Sequence, residues 1–407
     1  MRDYVVAIQK HRGLIETLLF IILLFVALTV AVMGGDQLRF PDEHDYHQLA
    51  LSVLRGDGYS NEYGEATAYR PPGWPFMLSL VYRFSPHPVM GKVLNVFFFV
   101  GSVWLLGKLA DLHAGKGARC WVFILALLYP LFLYTAGTLY PQTAGGFFLV
   151  ATLVLISKMT LLRYLVAGLL YGGLILTVPA FLLVLPLVIL YMLILHVSVN
   201  RVKLVQRAAL FCLFATVVIV PWSIRNTIAF ERFVLISTNS GVNLLLGNSE
   251  NTTPQSGVNA DISHYMQRTE GMHEVERDAK LRSYALEWIQ NNPLEAGQLY
   301  ARKVLAHFSF RNVLYVASER SLLRDVVLFL SYYPLLLLAV CGLVTFKRFP
   351  LSRGVFGGYV LYFGNAFVSA VFFTRIRFRV PFDLILIFLA AAFLASITKF
   401  LYERIQA

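Results

Sequence analysis

Apolar residues in this chain fall into long runs separated by shorter polar stretches. The first run, Leu14 to Met33, covers twenty residues, and a helix of about 20 residues spans a bilayer's hydrocarbon core. It follows Arg2, Lys10 and Arg12 and exceeds the roughly 7–15-residue core of a signal peptide, so it reads as a retained first span. Further runs occur at 88–107, 120–139, 142–157, 164–179, 181–197, 208–222, 323–346, 354–373 and 382–398. The stretch 164–197 is long enough for one helix, but Pro179 and Pro186 favour a tight hairpin there. The expectation is an all-α polytopic membrane protein with about ten transmembrane helices.

Two polar segments interrupt this pattern. In the first, 34–87, Tyr46, Leu49, Ala50, Val53 and Leu54 recur at helical spacing. That predicts a helix over 42–55 lying along the membrane surface, with Pro41, Asp42 and Glu43 at its start. A second surface helix is expected after Arg70-Pro71-Pro72, with Trp74, Phe76 and Tyr82 as interfacial anchors. In the second segment, 223–322, Leu281, Tyr284, Ala285, Trp288 and Ile289 mark an amphipathic helix, and Pro293 opens another towards Phe308. That segment carries ten Lys/Arg and ten Asp/Glu, as a balanced, water-facing unit would. The organisation expected is an N-terminal membrane unit (1–222) containing the 34–87 loop, a loop unit (223–322) and C-terminal membrane helices (323–407).

Composition agrees: 57% of the 407 residues are hydrophobic and 14% charged, more apolar than a soluble core requires. The net charge of +12 raises nucleic acid as a partner, but no basic tract is long or interleaved with aromatics. The charge instead follows the loops. Lys108, Lys116, Arg119, Lys158, Arg163, Arg201, Lys203, Arg207, Lys347, Arg348 and Arg353 sit in alternate connections, whereas the turns near 140 and 180 hold no Lys or Arg. By the positive-inside rule both termini are cytoplasmic and both large polar segments extracytoplasmic, as in a bacterial inner-membrane protein. Cys120, Cys212 and Cys341 all lie in apolar runs, which implies no disulfide framework.

The candidate chemistry begins in "PDEHDYHQLALSVLRGDGY", 41–59. Acidic residues at a helix start suit the dipole, and this accounts for Glu43. Asp42 and Asp45, one turn above Tyr46 and Leu49, fall instead on the apolar stripe, where desolvation raises a carboxyl's pKa and makes it a better base. His44 and His47 are spaced to share a divalent metal with a carboxylate, although no second ligand pair accompanies them. Arg70 is a further candidate. In "TRIRFRVP", 374–381, Pro381 predicts an extended Val380, and an extended run puts Arg375, Arg377 and Arg379 on one side, where they suit an anionic group. The alternative is that they snorkel to headgroups, with Arg379 paired to Asp383.

Taken in order, "PDEHDYHQLALSVLRGDGYS", "TAYRPPGWPFMLSLVYRF", "PWSIRNTIAFERFVLISTNSGVNLLLGN", "LEWIQNNPLEAGQLYARKVLAHF" and "RIRFRVPF" resemble the GT-C glycosyltransferases. The resemblance is to the branch with protein O-mannosyltransferases and the lipid A aminoarabinose transferase. It implies a polyprenyl-phosphate-linked sugar as donor and a glycan, lipid or protein as acceptor. It also implies inverting displacement on the extracytoplasmic face, with Asp42, seconded by Asp45, as carboxylate base. Glu43, Arg70, Gln142, Arg375, Arg377 and Arg379 would then contact substrate. The chain departs from its relatives at Gln142, where many carry an acidic residue, and at Val178, where they often carry Arg. Two rival readings are a lipid or solute transporter and a catalytically silent GT-C-like assembly subunit. The spans three to seven hold no mid-membrane ionisable residue, which disfavours a carrier.

Overall fold

The computed structural model describes residues 11–312 and 321–406. Arg2 and Lys10 of the charge argument lie outside the described residues. Among those described there is no β-strand, only an isolated bridge between Ser60 and Ala66.

Each apolar run is helical: α1 (Arg12–Met33), α4 (Pro88–Ala114), α5 (Ala118–Leu127) with α6 (Pro130–Ala136), α7 (Gln142–Ile156), α8 (Leu161–Thr177), α9 (Phe181–Leu195), α10 (Arg201–Phe230), α15 (Leu322–Val344), α16 (Arg353–Ser369) and α17 (Ile376–Gln406). Five are individually long and apolar enough to cross a membrane: α1, α4, α10, α15 and α17. The 120–139 run is broken into two helices, α5 and α6 meeting at 68°, with Pro130 opening the second piece. Between the spans stand α2 (Pro41–Arg55), α3 (Gly73–Tyr82), α11 (Ser240–Gly247), α12 (Ser263–Arg268), α13 (Glu274–Asn291) and α14 (Pro293–Ala306). The amphipathic rhythms at 281–289 and after Pro293 correspond to α13 and α14.

Three expectations about helix ends change. The 164–197 region breaks at Val178–Ala180, but Pro186 is accommodated inside α9, and α9 packs on α16 rather than returning along α8. The 208–222 run continues as helix through Pro221 to Phe230. And 376–381 is helical rather than extended, with Pro381 inside α17. A proline within a membrane helix is tolerated because packing and neighbouring groups compensate the lost bond.

Helix α17 forms the centre, touching α4, α5, α7, α15 and α16. From Val380 through Ala392 it is buried on every side, as a sequence apolar but for Asp383 requires. Away from this helix, α8 lies on α10 through Gly168 and Gly172, four residues apart. A Cβ at either would collide with the carbonyls of Phe211 or Ala215, the close backbone approach that small residues allow between membrane helices. One end of the bundle is tied by Arg12 to Asp111, Arg119 to Asp111, His113 to Ser157 and Arg353 to Ser198. These are the connections assigned above to a single side, and they do converge.

At the opposite end, buried charges hold loops in place. Lys92 Nζ donates to the carbonyls of Gly34, Gly35 and Gln37 at 2.7–3.3 Å. Lys303 Nζ donates to those of Gly247 and Phe372, both at 2.8 Å. Burial draws the Lys303 ammonium down to about 8. Such carbonyl cages compensate desolvation and fix the extramembrane segments relative to the spans. Trp74 and Tyr82, expected as interfacial anchors, are core residues at 0% and 1% exposure, whereas Phe76 stays exposed.

Candidate active site

Helix α2 starts where Pro41 and the acidic pair predict, and ends at Gly56 in the left-handed conformation, φ 86°. Its apolar stripe, Tyr46, Leu49 and Ala50, is buried, and Tyr46 and Ala50 pack with Trp74 and Leu78 of α3. The carboxylates divide differently from the sequence reading. Glu43 turns inward, 1% exposed. One of its oxygens accepts from the backbone N–H groups of Arg39 and Phe40, and the other from that of Leu139 at 2.7 Å. Trp74 donates to the Leu139 carbonyl, and Asn95 to those of Thr138 and Tyr140. Glu43 is therefore part of a clamp on the 138–141 turn that delivers Gln142. Both of its oxygens accept from backbone N–H groups, and it does not line the cavity described below.

Asp42, left at the surface of this clamp, meets a guanidinium with each oxygen: Arg70 at 2.7 Å and Arg377 at 2.7 Å. Arg70 also forks onto Asp45 at 2.7 and 2.9 Å. Arg377 lies over the Tyr140 ring, 4.7 Å from its centroid, and its Nε is buried without a partner. Burial pushes the Asp42 carboxyl up, but Arg377 and then Arg70 outweigh it and hold it below its usual value. The expectation of a raised pKa is therefore overturned: Asp42 rests as a clamped anion. Burial pushes the neighbouring Tyr46 phenol up to about 12, so it stays neutral.

The three C-terminal arginines separate because the backbone is helical. Only Arg377 reaches Asp42. Arg375 bonds the Ser256 carbonyl. Arg379 is 1% exposed, bridged to Asp383 at 3.0 Å and to the carbonyls of His307 and Ser309. Its guanidinium also lies over the Tyr332 ring, 3.7 Å from the centroid. The pairing with Asp383, four residues along one helix face, thus prevails over a shared phosphate-facing row for Arg379. His47 bonds the Tyr82 hydroxyl at 2.8 Å and His44 is exposed. Among the described residues no group of three or more His, Cys, Asp or Glu side chains converges as a metal site would require.

Asp42, Tyr46, Arg70, Gln142 and Arg377 line one cavity of about 580 Å³. Asp45, Glu43, Arg375 and Arg379 are not among its lining residues. Much of the remaining lining is apolar: Phe181, Leu183, Phe233, Leu235, Phe372 and Phe378. Three of these, Leu183, Phe233 and Leu235, are 43%, 72% and 40% exposed, so the apolar lining continues onto the surface. The cavity also takes in Asn239, Asp278, Arg282 and Asn365, which the sequence reading did not select. For Asn365 a signal existed, since it is a polar side chain within an apolar run.

No protein-family model matches the chain, and no curated protein matches it by sequence. Solved structures do. The oligosaccharyltransferase of Archaeoglobus fulgidus, tethered with an acceptor peptide containing the NVT sequon, is similar at a TM-score of 0.59 and 14% identity, over 98% of this chain and 51% of that one. Its complex with Zn and sulfate gives 0.55 and 14%, over 95% and 49%. ArnT from Cupriavidus metallidurans bound to undecaprenyl phosphate gives 0.45 and 13%, over 92% and 75%. The chain spans about half the length of the oligosaccharyltransferase it matches. The likeness to the oligosaccharyltransferase is one of fold, and five of the described helices are long and apolar enough to cross a membrane.

Proposed function

We propose that this protein is a membrane glycosyltransferase that moves a sugar from a polyprenyl-phosphate-linked donor to an acceptor on the extracytoplasmic face. The observation that carries the reading is the Arg70–Asp42–Arg377 cluster lining a cavity that is otherwise largely apolar and continuous with exposed apolar surface. A lipid-borne phosphate matches both features: the isoprenoid chain suits the apolar lining and the phosphate suits two guanidiniums.

In this reading the donor phosphate draws Arg70 and Arg377 away from Asp42, whose two oxygens they otherwise hold. The carboxylate, relieved of its partners, becomes the stronger base. An acceptor hydroxyl oxygen attacks the anomeric carbon from the side opposite the phosphate. The bond from that carbon to the phosphate oxygen breaks, its electron pair leaves with the polyprenyl phosphate, and the acceptor proton passes to Asp42. The arginines stabilise the leaving charge. The extracytoplasmic assignment rests on the distribution of Lys and Arg among the loops.

The test is transfer of labelled sugar from synthetic polyprenyl phosphate donors by the full chain in lipid nanodiscs. Transfer with inversion supports the reading. Flux of the intact donor across proteoliposomes without bond cleavage would establish a carrier instead, and donor binding without turnover an assembly subunit.

A further inference from the structure

The cavity is lined by a second polar group besides Asp42, Arg70 and Arg377. Asn239, Ser240, Asn243, Asp278 and Arg282 come from α11, the residue before it and α13. None of them takes part in the ion pairs at Asp42. In the mechanism above the donor occupies the two guanidiniums and the apolar lining, and this second group is left without a role.

Its base is fixed. A Cβ at Gly241 would collide with the Asp278 carbonyl, so α11 and α13 meet backbone to backbone. The Asp278 carboxylate, 6% exposed, accepts from the Gly241 N–H, the Ser240 hydroxyl and Arg282. Arg282 also donates to the Ser240 oxygen at 2.8 Å.

Its open side carries unspent polar atoms. The Arg282 side chain is 47% exposed, and among the described residues only its Nη2 finds a hydrogen-bond partner. Asn243 lies one turn beyond Asn239, and both are half-buried. The Asn243 amide makes no hydrogen bond among the described residues, and Asn239 spends only its Oδ1, on the Ser237 hydroxyl at 3.0 Å. Neither asparagine is among the residues whose unpartnered atoms are buried, so these atoms stay reachable.

That inventory narrows the ligand. A free amide offers a donor and an acceptor side by side, which suits hydroxyl groups, since each of these both donates and accepts. An anionic group would use donors alone. The one guanidinium here is already matched by a carboxylate that two further donors hold in place.

We propose that Asn239, Asn243 and Arg282 form the acceptor subsite of the cavity, and that the acceptor is a hydroxyl-rich glycan. The inference rests on the glycosyltransferase reading and deepens it. A glycan held there shares one cavity with Asp42, the base that takes its proton.

The experiment uses the full chain in nanodiscs with labelled polyprenyl-phosphate hexose and three acceptor probes: a neutral hexose trisaccharide, phosphatidylglycerol and a serine-containing peptide. The parent should transfer best to the trisaccharide. Asn243→Leu and Arg282→Lys should each raise the trisaccharide KM roughly tenfold and leave the donor KM within about twofold. The leucine removes no hydrogen bond within the protein and the lysine keeps a cation beside Asp278, so both variants should fold. Asn243→Gln should lose less than Asn243→Leu. Unchanged trisaccharide KM in both variants, or donor and trisaccharide KM rising together, would overturn the inference alone. So would better transfer to phosphatidylglycerol or the peptide, or hydrolysis of the donor with no transfer to the trisaccharide. A donor left uncleaved with all three probes would instead overturn the glycosyltransferase reading, and the inference with it.

Discussion

Asp42→Asn keeps the shape of the side chain and removes its charge, leaving Arg377 without the carboxylate it pairs with and Arg70 with Asp45 alone. Two unit charges about 4 Å apart at an effective dielectric of about 20 attract by about 4 kcal/mol. Desolvation offsets much of that, and the Asp42 side chain is 21% exposed, so the net loss of stability should be about 1–3 kcal/mol. Loss of the general base should lower turnover about 10²–10⁴-fold. Asp45→Asn is the control, because Asp45 is 44% exposed and does not line the cavity. It should cost less than about 1 kcal/mol and leave most of the turnover. The assay is labelled-sugar transfer at saturating donor, beside a melting curve, in nanodiscs. The pH dependence has a definite sign. The folded carboxyl titrates below its unfolded value, so its contribution is full above the ordinary carboxylate range and lost as pH falls through the folded value. The parent should therefore lose stability below about pH 4 more steeply than Asp42→Asn. Near-parental turnover in Asp42→Asn, or an equal loss in Asp45→Asn, would refute the assignment of the base.

Arg377→Gln should raise the donor KM, whereas Arg375→Gln should leave it unchanged, because Arg375 bonds Ser256 outside the cavity lining; equal effects in donor titrations would contradict this. Arg379→Gln or Asp383→Asn should each cost about 3–5 kcal/mol by leaving a buried charge unpaired. Arg379→Met with Asp383→Leu should recover part of that in melting curves, and no recovery would argue against the pair's structural role. Cysteines at the exposed positions Glu62 and Asp261 should react with an impermeant thiol reagent from outside, and those at Lys116 and Lys347 only from inside. Labelling of position 261 from the cytoplasm would invert the proposed topology.

The spans were legible because backbone in hydrocarbon must satisfy its own hydrogen bonds, so a sufficient apolar run already specifies a helix. The rhythm of α2 and α13 was legible for a related reason: the spacing of apolar residues fixes which face must be covered. Neither argument says what covers it. Glu43, read as a helix start, became the residue that holds Leu139, while Asp42 was left for the cavity. The Arg379–Asp383 pair was visible as an i, i+4 spacing, but Pro381 suggested extended backbone, a local preference that packing around α17 overrode.

What the sequence determined by itself was the apolar helical runs, their order and the polar segments between them. Which charges meet was decided only by the tertiary structure. Arg377 reaches Asp42 across 335 positions of chain, and no local periodicity encodes that approach. It depends on α17 packing in the centre of the bundle, on the clamp at 138–141 and on the crossing of helices far apart in sequence. The same packing converts Asp42 from a carboxyl expected to titrate high into an anion held low, because the sequence reveals burial but not the guanidiniums that burial brings together.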